Sequence, residues 1–193
     1  MLRSVIEFAA NAPRRFVLQR MPVGGVCAEI GVYKGSFSAR IMRATRPRRL
    51  HLIDPWRFEA DGRYRCSWYG GWKGGSQAHM DAVHEGVLAR FRGEIAAGLA
   101  IVHRAPSADA ASAFGDDYFD WVYIDGNHLY EYVRRDLETF FPKVKAGGWI
   151  AGDDYGVTGW WDGGVTRAVD EFATPDRFAT ILFRNHQFVL QKR

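Results

Sequence analysis

Three carboxylates stand where apolar runs end: Asp125 follows Trp121 to Ile124, and Asp153 with Asp154 follows Trp149 to Ala151. Asp54 ends another run, Leu50 to Ile53, and Glu29 lies in Val26 to Ile30 just ahead of Gly31 and Gly35. A pyrophosphate-binding loop wants Gly-x-Gly-x-x-Gly, but here Tyr33 holds the middle glycine position and Ser36 the last. A cofactor without phosphates needs close backbone approach at fewer points and gains from an acid that meets a positive group. That describes S-adenosylmethionine better than NAD. Asp54, about 20 residues on, is placed to accept hydrogen bonds from ribose hydroxyls. The alternative is that Gly31 and Gly35 serve a tight turn and Asp54 caps a strand end.

The elements that must position these groups follow from periodicity. Leu129, Val133, Leu137 and Phe140 recur at helical spacing, and Pro142, Gly147 and Gly148 end the run. Strand, helix and strand from Trp121 to Ala151 make a βαβ unit, whose strands are parallel. Their acidic ends therefore open on one edge, where open α/β sheets bind ligands. Val26 to Ile30, a helix begun by a capping Ser36 and stopped at Arg46 and Pro47, and Leu50 to Ile53 make a second such unit. Residues 2–20 read as a helix broken near Pro13, within an N-terminal segment of 1–22. Gln77 to Phe91 has helical spacing, Leu99 to His103 is strand-like, and Val165 to Phe172 is a short helix. Phe178 to Phe183 and Phe188 to Leu190 form a hairpin about Asn185 and His186. Five strands alternating with helices, then a hairpin, predict a doubly wound α/β sheet with one antiparallel strand.

The 193 residues, 47% apolar and 25% charged, fit one domain over 1–193. Cys27 and Cys66 are too few for a disulfide scaffold, no apolar run reaches membrane-spanning length, and the N-terminus lacks a signal core. A reduced, cytoplasmic protein is the expectation. The net charge of +4 comes from scattered arginines interleaved with acids, which argues against nucleic acid as the partner. Glycine and aromatic residues concentrate in two stretches, 55–75 with Trp56, Tyr64, Trp68, Tyr69 and Trp72, and 155–165 with Trp160 and Trp161. Both are expected to be substrate loops, with ordinary loop packing as the alternative.

AEIGVYKGSFS (28–38), LIDPW (52–56), VYIDGNHLYEYVRRDL (122–137) and PKVKAGGWIAGDDY (142–155) resemble successive motifs of class I S-adenosylmethionine methyltransferases. More narrowly they resemble the branch of macrocin-type O-methyltransferases and enzymes labelled cephalosporin hydroxylases. The resemblance implies a seven-stranded sheet of order 3-2-1-4-5-7-6 with the seventh strand antiparallel. It also implies cofactor contacts from Glu29, Gly31, Gly35, Ser36, Asp54, Ser107 and Asp125. In metal-dependent members of the branch, acids at the positions of Asp125, Asp153 and Asp154 bind Mg²⁺. Hard oxygen ligands suit that ion, and three carboxylates at one edge repel without a cation. The alternative is that one aspartate caps a loop and the others pair with arginines such as Arg57 or Arg167.

Relatives commonly carry Asp-Gly-Asp where this chain has Asp125, Gly126 and Asn127, and their second acid is the usual general base. Asn127 cannot take a proton, and His128 is the available substitute. An iron oxygenase site is disfavoured because His79 and Asp81 sit two apart in a helical stretch and point apart. The expected activity is Mg²⁺-assisted O-methylation of a small hydroxylated acceptor, in a chain that can be a homo-oligomer. The rivals are a cofactor-binding protein of the same fold without turnover and an RNA methyltransferase.

Overall fold

A computed structural model describes residues 14–71 and 75–193. Most of the N-terminal segment and Trp72 of the first aromatic loop lie outside them. What is described of that segment is the one-turn helix α1 (Arg15–Leu18), which buries Phe16, Val17 and Leu18.

Seven strands form one sheet in the order β3-β2-β1-β4-β5-β7-β6. They are β1 (Val26–Ile30), β2 (Arg49–Asp54), β3 (Ala100–Arg104), β4 (Phe119–Ile124), β5 (Val144–Gly152), β6 (Phe178–Arg184) and β7 (Gln187–Lys192). The first five are parallel to one another, and β7 runs antiparallel to both β5 and β6. This is the sheet order and the antiparallel seventh strand that the motifs imply. The last hairpin turns at Asn185 and His186, whose φ values of 52° and 61° suit a tight two-residue turn. β5 begins five residues earlier than Trp149, because the glycine pair at 147 and 148 is carried inside the strand.

Side chains alternate across the sheet, so each strand feeds two cores. Val26, Ala28, Ile30, Val122, Ile124 and Ile150 face α5 (Ser107–Ala111), α6 (Tyr130–Phe140) and α7 (Gly164–Phe172). Cys27, Leu50, Leu52, Trp121, Tyr123 and Ala151 face α1, α2 (Ser36–Thr45) and α3 (Gln77–Arg90). The short helix α4 (Arg92–Ala96) completes the set. The α6 stripe of Val133, Leu137 and Phe140 is fully buried, and truncating Leu137 or Phe140 to Ala would cost about 3 kcal/mol or more.

Local chemistry sets the element ends. Ser36 is the first residue of α2 rather than its cap; Gly35 holds the cap position at φ +69°, a left-handed conformation that disfavours side chains. α2 stops at Arg46, also left-handed, just ahead of Pro47. Ser76 caps α3 by accepting from the His79 amide at 3.2 Å. Among the described residues no helix is long and apolar enough to cross a membrane.

Candidate active site at the strand ends

Parallel strands place Glu29, Asp54, Asp125, Asp153 and Asp154 at one edge, around a cavity of about 780 Å³. That volume falls in the range of sites that hold a cofactor-sized ligand. Gly31 has φ +88°, and a Cβ there would sit 2.0 Å from the carbonyl oxygen of Asp125. The loop after β1 can therefore lie directly on the end of β4, where the Asp125 amide donates to the carbonyl of Ile30 at 2.8 Å.

Glu29 is almost fully buried and accepts a hydrogen bond from Ser38 Oγ. Burial pushes its carboxyl up to about 8, against the Ser38 bond and the charge of Arg14. Asp54 is equally buried. Its Oδ2 accepts from the amides of Val32 and Tyr33 at 2.9 Å and from the Tyr69 hydroxyl, and its Oδ1 accepts from the Trp56 amide at 2.7 Å. Four donors nearly fill a carboxylate. Tyr69 thus occupies the oxygen that the sequence expectation assigns to a ribose hydroxyl.

At the far end of the cavity Ser107 Oγ donates to Asp136, an acid that sequence reading passed over. Burial raises Asp136 to about 6. It lies on α6 beside Val133, Leu137 and Phe140, and an acid on an apolar stripe was the signal available. Gly35 lies at the helix turn, while Ser36 reaches the cavity wall with Arg90 Nη1 3.5 Å from its hydroxyl.

The acids after β4 and β5 divide into two groups. Arg14 donates from Nε to Asp153 Oδ2 at 2.8 Å and from Nη2 to Asp125 Oδ2 at 2.6 Å and again to Asp153 Oδ2. Asp153 Oδ1 accepts from Gln187 Nε2 and from the Asp154 amide. Among the described residues Arg14, rather than Arg57 or Arg167, is therefore the arginine that pairs with these acids; Arg57 pairs with Glu59, and Arg167 stacks over Tyr130. Arg14 had no signal in the sequence, because only the packing of α1 brings it here.

Asp154 turns the other way, on a backbone with φ +61°, uncommon for a residue other than glycine. Its Oδ2 lies 3.3 Å from His128 Nε2, and Asp125 Oδ1 lies 3.5 Å from the same nitrogen. Neither contact has hydrogen-bond geometry, so Nε2 is buried without a hydrogen-bond partner. Burial alone would lower the imidazole, but Asp125, then Asp154 and Asp153, outweigh it and raise His128 above its ordinary value. Burial also raises Asp154, to about 6, with His128 opposing and the neighbouring carboxylates adding. Asn127 is committed to the scaffold: its Nδ2 donates to Tyr64 at 2.7 Å and its Oδ1 accepts from the Leu129 amide at 3.1 Å.

Two groups can be tested for fit. S-adenosylmethionine fits: the cavity joins a buried acid at Glu29 for a positive group, Asp54 for hydroxyls, and Ser107 with Asp136 beyond. Mg²⁺ held by Asp125, Asp153 and Asp154 does not fit this arrangement. Both oxygens of Asp153 are hydrogen-bonded, and a guanidinium already lies between Asp153 and Asp125. The donors that do gather within 4.8 Å of one another are Asp125, His128 and Asp154, a mixed nitrogen and oxygen set unlike the all-oxygen shell of Mg²⁺.

The aromatic loops divide as well. Tyr64, Trp68, Tyr69, Trp160 and Trp161 line the cavity, and Trp68 lies over Tyr33 with ring centres 5.6 Å apart. Trp56 is instead a core residue, wholly buried, with its indole N–H donating to the Tyr33 carbonyl at 2.8 Å. His79 is exposed and Asp81 pairs with Gln77 and Arg104, so these two do not form an iron site.

No curated protein sequence matches the chain. Its fold is that of several solved structures. CalS11, a TDP-rhamnose 3′-O-methyltransferase of calicheamicin biosynthesis, superposes with a TM-score of 0.55 at 18% identity, over 97% of this chain and 79% of that one. A geranyl diphosphate methyltransferase in complex with S-adenosylmethionine gives 0.59 at 10% identity, over 93% and 84%. A Bordetella parapertussis protein gives 0.59 at 14% identity over 93% of this chain, which spans only 65% of the length of that one. Residues 28–155 match the family model of a methyltransferase domain, and with that match the chain belongs to the class I methyltransferases its motifs resemble.

Proposed function

We propose that the protein transfers the methyl group of S-adenosylmethionine to a hydroxyl of a small acceptor, with His128 as the general base. The observation that carries this reading is His128 Nε2 in the wall of the cavity, buried without a hydrogen bond but in ion-pair contact with Asp154 Oδ2 at 3.3 Å and Asp125 Oδ1 at 3.5 Å. An acceptor hydroxyl supplies the hydrogen bond that nitrogen lacks, and a negative surround favours the imidazolium once it has taken the proton. The geranyl diphosphate and sugar specificities of the solved relatives belong to those proteins, yet a small hydroxylated acceptor agrees with an aromatic-walled cavity. The cofactor, when bound, supplies an electrophilic methyl on a sulfonium.

Every other part of the reaction falls to the chain. Glu29, Gly31, Ser36, Asp54, Ser107 and Asp125 hold and orient the cofactor on a loop that Gly35 shapes, and Trp160, Trp161, Tyr64 and Trp68 exclude water and seat the acceptor ring. Asn127 positions Tyr64 and so acts one step removed from the chemistry. His128 holds the hydroxyl proton at Nε2, and Asp154 beside it shares the charge. No step needs a divalent ion.

The test is transfer of a labelled methyl group from S-adenosylmethionine to a panel of sugars and phenols. A methyl ether should form, and calorimetry should show S-adenosylhomocysteine bound at the same site. Binding of the product cofactor with no transfer to any hydroxylated acceptor would leave a cofactor-binding protein instead. A methylated RNA product and strongly salt-dependent RNA binding would overturn the choice of a small acceptor.

A further inference from the structure

The three carboxylates at this edge need positive charge, and the chain supplies it internally. Arg14 offers a bidentate contact to Asp153 and a third bond to Asp125. Its guanidinium also lies 4.9 Å from the centre of the Phe37 ring and 5.6 Å from that of Tyr123. Phe16, Val17 and Leu18 bury the helix that follows and fix its position. Arg14 is thus held by two charges, two aromatic faces and an anchored backbone, in the place between Asp125 and Asp153 where a bridging cation would lie. Asp154 and His128 balance each other on the other side of Asp125.

We propose that Arg14 is a built-in replacement for the divalent cation at this edge. It bridges Asp125 and Asp153, and methyl transfer proceeds without metal. The Nη1 group makes no hydrogen bond to the described residues, and Arg14 lines the cavity. On this proposal its two N–H donors meet the acceptor oxygen as negative charge develops there, the electrostatic work a metal would otherwise do. A guanidinium does this at any accessible pH, because its charge is never lost. The inference about transfer rests on the proposed function; the inference about the cation position does not.

The experiment titrates Mn²⁺, a paramagnetic probe of Mg²⁺ sites, into the chelator-stripped full chain without cofactor or acceptor, followed by electron paramagnetic resonance. The wild-type protein should bind none at millimolar ion, and its methyl transfer should persist in excess chelator. Arg14→Gln removes the charge and keeps an amide; it should bind Mn²⁺ more tightly by at least on the order of tenfold, and Asp153→Asn in the same background should abolish that gain. Stoichiometric Mn²⁺ binding by the wild type, loss of its transfer activity in chelator, or no gain in Arg14→Gln would each overturn the proposal. Binding by the wild type that is lost in His128→Ala would identify the Asp125, His128 and Asp154 set as the true metal site. The wild-type titration needs no variant to fold. If no methyl transfer were found with any acceptor, the proposed function would fail while the titration still decided the role of Arg14.

Discussion

His128 is the general base we propose, and its environment makes a signed prediction. A base must be neutral, and the surrounding carboxylates raise this imidazole above its ordinary value of about 6.5. Turnover should therefore climb with pH through a midpoint above 6.5, and His128→Ala should lower kcat on the order of a hundredfold or more with little change in cofactor affinity. A variant with near-wild-type kcat and the same pH profile would remove His128 from the mechanism. Asp136 makes a separate prediction, on stability. Its carboxyl is raised to about 6 by burial, so the folded state holds its proton better than the unfolded chain does. The stability this gives is fully present below the unfolded value of about 3.9 and is lost as pH rises through about 6. Asp136→Asn removes that loss, keeps an acceptor for Ser107, and should stabilise the protein by roughly 3 kcal/mol at pH 8 but little at pH 4. Denaturant midpoints at the two values check it; equal shifts at both would refute the burial argument.

The sheet was readable from the chain because its strands are apolar runs, three of them (β2, β4 and β5) closed by an acid, and because the helices between carry period-3.6 stripes such as Val133, Leu137 and Phe140. The identity of the acids at the edge was readable for the same reason. Their partners were not. Arg14 reaches Asp125 and Asp153 across more than a hundred residues, and Gln187 reaches Asp153 from the antiparallel strand β7, so neither contact leaves a local pattern. The loop after β2 was equally opaque: aromatic composition made Trp56 and Tyr69 look alike, whereas packing sends Trp56 into the core and Tyr69 onto Asp54. That contact yields a prediction for the loop as an element. Because the Tyr69 hydroxyl occupies Asp54 Oδ2, a cofactor ribose must displace it. Tyr69→Phe frees the acceptor and should tighten S-adenosylhomocysteine binding severalfold, by about the net worth of one hydrogen bond to a charged group. Asp54→Ala should weaken it. Weaker binding by Tyr69→Phe, measured by calorimetry, would show that the tyrosine helps hold the ligand rather than standing in its way.

Taken as one molecule, the chain is a cation with a negative interior site: its net charge is +4, yet Glu29, Asp54, Asp125, Asp136, Asp153 and Asp154 all line one cavity. Burial resolves part of that conflict by protonation, and Glu29, raised to about 8, is mostly neutral in the free protein at pH 7. A cofactor that brings a sulfonium and an ammonium changes the balance, because positive charge beside Glu29 favours its ionised form. Binding should then release a proton, approaching one per site at pH 7. In calorimetry the apparent enthalpy of S-adenosylmethionine binding should differ between phosphate and Tris, whose ionisation enthalpies differ widely. The affinity should rise with pH between about 6 and 8, by at most about tenfold per unit, and level off above the value of the free carboxyl. Glu29→Gln, neutral and nearly isosteric, should bind more weakly and lose both the buffer dependence and the pH slope. Heats identical in the two buffers would mean that Glu29 keeps its proton in the complex, and that the positive end of the cofactor meets Asp125 or another carboxylate instead.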